Sequence, residues 1–189
     1  CSRDWSSDVC SSDLIYDLAF IKYPQYVESK NLKRLRKLVP EAILKSDRIV
    51  TISNFTKKEL IRTYKIDSNK ISVVNCSVDK SVYNHAKVTK KVKSKYNLPD
   101  NYLLYLGNIE PRKNIVGIIT AYENLPKELI NKYKLVLAGG RGWNDEDIKN
   151  KLKKTSAREN IVLTGYVDQQ DAAELYSGAE IFLFPSFYE

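Results

Sequence analysis

From Leu14 onward, short apolar runs alternate with longer stretches whose apolar residues recur every three or four positions. That alternation is the mark of βαβ units built around a parallel sheet, and it predicts an α/β fold. Ile15 to Phe20 reads as a first strand. A helix follows on Leu32, Leu35, Leu38, Val39, Ala42 and Ile43, with Pro40 set to kink or divide it. Arg48 to Ile52 reads as a strand. Ser53 or Asn54 is placed to cap the next helix, whose inner face is Phe55, Leu60, Ile61 and Tyr64, and Ile71 to Val74 reads as another strand.

A polar, lysine-rich stretch from Asp79 to Lys95 then interrupts the pattern and predicts a linker or a partly helical connector. The second series runs strand Tyr102–Leu106, a helix on Ile115, Ile118, Ile119 and Tyr122, and strand Lys134–Ala138. It continues through the turn Gly139-Gly140-Arg141-Gly142, a helix over 145–154, strand Ile161–Gly165, a helix from Gln169 to Ser177 ended by Gly178, and strand 181–184. Doubly wound sheets have about five or six strands, so four strands predict a unit that stops in mid-domain. The expected organisation is a segment 1–13, a first unit 14–84, a linker 85–100 and a second unit 101–189.

The segment Cys1 to Asp13 repeats Ser-Ser-Asp, lacks an apolar period and resembles translated sequencing-adaptor read-through. It is expected to be foreign to the protein, and it has no apolar core of a secretion signal. The formal charge of +8 favours anionic partners without choosing among them. Cys1, Cys10 and Cys76 form no Cys-x-x-Cys pair and cannot all be paired, which points to a reducing, cytoplasmic setting and to no redox or zinc chemistry. The longest apolar runs fall far short of the roughly 20 residues of a membrane helix. The helix bearing Lys30, Lys33, Arg34, Arg36 and Lys37 among its leucines is basic and amphipathic, suited equally to solvent or to the anionic inner face of the plasma membrane.

Ligands of open α/β sheets bind at the carboxyl ends of the strands, which directs attention to the turns. Gly107-Asn108-Ile109-Glu110-Pro111-Arg112-Lys113-Asn114 sets two cations at the start of a helix. Cations there oppose the helix dipole by roughly 0.3–1 kcal/mol each unless an anion compensates, so Arg112 and Lys113 are candidate phosphate ligands. Asp145-Glu146-Asp147 has the Asp-x-Asp form of a metal site, but acidic residues opening a helix suit its dipole and no metal is expected. His85 lies among polar linker residues and is given no role.

The segment 107–114, with Leu-Ala-Gly-Gly-Arg-Gly-Trp (137–143), Leu-Thr-Gly-Tyr-Val (163–167) and Ser-Gly-Ala-Glu-Ile-Phe-Leu-Phe-Pro-Ser-Phe-Tyr-Glu (177–189), resembles glycosyltransferase family 4. The likeness is to its bacterial mannosyltransferase-type members. It implies the GT-B architecture, two Rossmann-like doubly wound parallel-sheet domains, both incomplete here. It implies a donor site with Arg112 and Lys113 at the diphosphate, beside Gly107 and Asn108, and with Tyr166 and Val167 against the base. Glu189 would match the first glutamate of the family's paired motif, contacting the donor sugar, and the second would lie beyond it. Asn108 stands where many members have arginine.

Tyr16, in Ile-Tyr-Asp-Leu, stands where a histidine is frequent near the donor sugar and acceptor, and a phenol cannot take up a proton at neutral pH as imidazole does. The resemblance implies a retaining, metal-independent transfer from a nucleoside-diphosphate sugar, GDP-mannose, to a polysaccharide or lipid-linked glycan. This piece alone is expected to be inactive. A non-catalytic nucleotide- or phosphate-binding module is the alternative reading, and nucleic acid is not expected as a partner.

Overall fold

The computed structural model describes residues 12–83 and 87–189. The chain divides into two compact units, the first taking the residues up to Ser77 together with Glu189 and the second running from Val78 to Tyr188. His85 and most of the adaptor-like segment lie outside the described residues.

The first unit holds a three-stranded parallel sheet, order β1-β2-β3, from β1 (Ser12–Ile15), β2 (Arg48–Thr51) and β3 (Ile71–Val73). Its first strand begins three residues before the predicted one, and Ser12 and Asp13 pair with Arg48 and Ile49. Strand pairing uses main-chain groups, so the polar side chains do not prevent it. The predicted strand also ends early: the Ala19 N–H donates to Asp17 Oδ1 at 2.7 Å, and that turn starts the short helix α1 (Ala19–Lys22). Helix α2 (Ser29–Lys45) runs through Pro40 without a break, and α3 (Asn54–Tyr64) is capped by Ser53, whose Oγ accepts from the Thr56 N–H at 3.1 Å. Ile15, Leu18, Phe20, Ile43, Ile49, Leu60 and Ile71 form one buried cluster. Phe55 is exposed, not part of the inner face predicted for it.

The second unit begins at Val78, ahead of the expected linker at 85–100, and takes that stretch in. Helix α4 (Lys90–Tyr96) is capped by Thr89 and buries Val92 and Tyr96, four apart on one face. Lys95 binds Asp168 and Asp171, and the Tyr96 hydroxyl donates to Asp171 at 2.8 Å, which fastens α4 to α8 (Gln169–Gly178). These bonds raise the Lys95 pKa, Asp168 contributing most, and lower that of Asp171 through Lys95 and then Tyr96. The connector is helical over this part, and lysines on its outer face masked the two inward residues in the sequence.

The sheet has order β6-β5-β4-β7, all parallel, from β4 (Tyr102–Leu106), β5 (Lys134–Ala138), β6 (Ile161–Gly165) and β7 (Ile181–Phe182). Its two faces are both covered. Tyr102, Leu104, Val136 and Ala138 pack with α4 and α8, while Tyr105, Leu135 and Leu137 pack with α5 (Ile115–Glu123) and α7 (Glu146–Lys154). Burial pushes the Tyr102 phenol up to about 12, and its hydroxyl donates to the Leu175 carbonyl at 2.8 Å. A further short helix, α6 (Lys127–Lys132), precedes β5 and was not predicted, its residues being mostly polar.

Candidate functional site

The carboxyl ends of β4, β5 and β6 are level and cross-linked by backbone. The Gly107 N–H donates to the Ala138 carbonyl at 2.9 Å, and the Gly139 N–H to the Gly165 carbonyl at 2.8 Å. Gly139 has φ +138°, and a Cβ there would lie 1.9 Å from the Gly107 carbonyl oxygen, so no side chain fits. Beyond the strands the two loops stay joined: the Ile109 N–H donates to the Gly140 carbonyl and the Gly142 N–H to the Ile109 carbonyl. The phosphate-type turn predicted around Gly107 is thus a braced double loop.

Pro111–Lys113 form a 3-10 turn, and Asn114, in the left-handed region at φ 57°, is the N-cap of α5. Its Oδ1 accepts from the Gly117 N–H at 3.2 Å, and a Cβ on Gly117 would lie 2.4 Å from that oxygen. The two cations therefore precede the cap instead of entering the first helical turn. Lys113 Nζ stands 5.0 Å from the centre of the Phe184 ring. Arg112 is turned inward with a side chain 18% exposed, donating to the Tyr188 carbonyl at 2.6 Å and to Glu110 Oε1 at 3.1 Å. Two of its guanidinium nitrogens are thus engaged by protein oxygens in the loop where a diphosphate ligand was expected. Asn108 is exposed, its carbonyl accepting from the Tyr105 hydroxyl at 2.8 Å.

Tyr166 is exposed just after β6, following Gly165 at φ +71°. Val167 is buried with Val92 and Leu175, which leaves its backbone, beside the exposed Tyr166, as the part of it that can meet a base. Glu189 follows Tyr188 and is exposed. In the first unit Tyr16 follows β1 at the carboxyl end of that sheet and is exposed, while its carbonyl accepts from Thr56 Oγ1 at 3.0 Å. Asp145 pairs with Lys149 at 2.7 Å and its carboxyl is held below the usual range chiefly by that lysine. Among the described residues no cluster of metal-ligating side chains is found.

Glu110, Asn114 and Gly139 belong to this site although the sequence did not single them out. The readable signal was their setting: Glu110 and Asn114 stand two residues before and two after Arg112, and Gly139 opens a glycine turn. Beside the site, an apolar cavity of about 810 Å³ lies between α5 and β7, lined among others by Ile118, Leu125, Leu129, Ile181 and Leu183.

A family profile described as glycosyl transferases group 1 matches residues 87–189, and one described as glycosyltransferase family 4 matches residues 13–82. Among curated proteins, O-antigen chain mannosyltransferase B of Escherichia coli is 35% identical over 178 residues, 92% of this chain and 46% of that protein. The serotype-specific mannosyltransferase WbdA of Escherichia coli is 32% identical over 152 residues, 77% of this chain and 18% of that protein. The chain therefore spans less than half the length of these relatives. Among solved structures, the sucrose-phosphate synthase of Thermosynechococcus elongatus matches with a TM-score of 0.73 at 20% identity, over 97% of this chain and 46% of that one. WaaG, a glycosyltransferase involved in lipopolysaccharide biosynthesis, matches with a TM-score of 0.67 at 16% identity, over 93% and 50%. The likeness in fold agrees with the GT-B type that the sequence motifs implied.

Proposed function

This chain belongs to the group 1 glycosyl transferases, and we propose that the complete protein moves mannose from GDP-mannose to a growing polysaccharide or lipid-linked glycan with retention of configuration. The mannosyltransferase names of the relatives support the sugar, and the braced loop supports the donor end. The observation that carries the reading is the position of Lys113. It follows the glycine-braced end of β4 and immediately precedes the cap of α5, so an anion arriving there meets a cation and a helix N-terminus together.

In this reading Lys113 and the first N–H groups of α5 neutralise the charge that develops on the departing diphosphate, in place of a metal. Glu189 orients the donor sugar. Tyr166 is the residue offered to the base, and Tyr16 offers a hydroxyl near the sugar and acceptor but no imidazole-like base at neutral pH. The setting proposed is cytoplasmic, with α2 resting on an anionic membrane surface. Lys30, Lys33, Arg34, Arg36 and Lys37 are all exposed there, and none has an ion pair among the described residues. No helix of the described residues is long and apolar enough to cross a membrane.

Thermal stabilisation of the complete gene product by GDP, UDP and ADP, with and without magnesium, tests the donor. Stabilisation by GDP without magnesium, abolished by Lys113→Ala, is the expected result. A nucleotide that binds without any sugar transfer would turn the reading into a binding module, and indifference to all three would remove it.

A further inference from the structure

The loop after β4 and the segment after β7 are fastened together by alternate residues of one short stretch. Arg112 Nη1 donates to the Tyr188 carbonyl at 2.6 Å, while the Arg112 carbonyl accepts from the Phe187 N–H at 3.0 Å. Two residues later, Asn114 Nδ2 donates to the Pro185 carbonyl at 3.2 Å. Two residues earlier, Glu110 holds the second arm of the guanidinium at 3.1 Å. The stretch they grip, from Pro185 to Tyr188, lies outside any strand or helix. Its carbonyls at 185 and 188 and its N–H at 187 are satisfied by the neighbouring loop.

From this we infer that Glu110, Arg112 and Asn114 are positioning residues: they clamp the Pro185–Tyr188 peptide and so set where Glu189 stands. The inference rests on the reading above, in which the Glu189 carboxylate contacts the donor sugar. The chemistry of the clamp fits the residue types. A guanidinium is a planar fork that reaches a carbonyl and a carboxylate at once, which the single point charge of lysine does not do. Glu110 neutralises that cation where both side chains are less than one-fifth exposed, so the clamp adds no net charge beside an incoming diphosphate. Asn114 divides its amide between two duties, its oxygen on the first turn of α5 and its nitrogen on Pro185. The loop that receives the donor is therefore mechanically continuous with the peptide that presents the sugar-contacting carboxylate.

The test compares Arg112→Gln, Arg112→Lys and Glu110→Gln with Lys113→Ala in the complete gene product. Three quantities are read: GDP affinity, kcat for sugar transfer, and hydrogen–deuterium exchange of the peptide containing Phe187. A clamp predicts that both Arg112 variants speed exchange at Phe187 and lower kcat by about 10–100-fold, the loss that a misplaced reacting group produces. GDP affinity then stays within about threefold, whereas Lys113→Ala lowers it with little effect on exchange. Arg112 variants that weaken GDP as Lys113→Ala does, with Phe187 exchange unchanged, would overturn the inference and make Arg112 a phosphate ligand. Faster exchange with kcat unaltered would reduce the clamp to a structural brace and would equally overturn it. If Arg112→Gln does not fold, Arg112→Lys, which keeps the charge and loses the fork, decides the same question. A wild type that binds no nucleotide removes the donor reading, and unchanged exchange in the variants separately removes the clamp.

Discussion

The two sheets of this protein are alike in direction and unlike in cover. In the second unit, neighbouring residues of β5 are buried on opposite faces: Val136 and Ala138 against α4 and α8, Leu135 and Leu137 against α5 and α7. In the first unit, β2 alternates, with Ile49 and Thr51 buried, Val50 half-buried and Arg48 exposed, and one cluster holds the core. A strand covered on both faces reads as a continuous apolar run, and a strand covered on one face reads as an alternation. The difference places the braced loop on the sheet that is covered on both faces. It also bears on how the sequence could be read, since Leu-Val-Leu-Ala admits one interpretation while Arg-Ile-Val-Thr gives a weaker pattern.

The sharpest way to break the comparison is at Gly139. Alanine there meets the Gly107 carbonyl at a φ that side chains avoid, and the second unit is expected to lose about 3 kcal/mol or more in urea unfolding. A second test exchanges one methyl-rich side chain on each sheet. Val136→Ala removes a fully buried residue and is expected to cost about 2 kcal/mol, whereas Val50→Ala, half-buried on the less covered face, costs under about 1 kcal/mol. Equal losses would show that the first sheet is covered as completely as the second.

The smallest effect concerns pH. Glu123 bonds Lys151 and Thr155, joining α5 to α7, and these partners, Lys151 first, hold its carboxyl below the usual range. A lowered carboxyl stabilises the fold above its unfolded value and ceases to do so as pH falls through the folded value. The Tm of Glu123→Gln is therefore expected to fall less steeply than that of the wild type below about pH 5, and parallel curves would count against the pairing.

Much of the architecture was legible because apolar period and cover agree. The strands of the second unit and the helices α2, α3, α5, α7 and α8 follow from it. What escaped was decided by partners distant in sequence or by groups without side-chain character. Asp17 turns the predicted first strand into a helix with one bond to a main-chain N–H, and Ser12 and Asp13 pair through backbone alone. Val92 and Tyr96 were hidden by lysines. At the candidate site, Gly107, Asn108, Lys113 and Tyr166 are at the strand ends where they were sought. Arg112 could not be foreseen as an inward residue, because the group it binds is a main-chain carbonyl 76 positions later.

That separation has a consequence for the order in which the protein acquires its shape. The bonds from Arg112 to Tyr188 and from Asn114 to Pro185 close loops of 76 and 71 residues, among the longest in the second unit. Closure of such loops comes late, because their entropy is repaid only when the intervening strands are already in place. On the ribosome, the stretch 110–114 emerges well before the residues after β7 that it grips. The loop after β4 is thus fixed at this end only once the chain has passed β7, so the two segments of the donor end acquire their mutual bonds at different times.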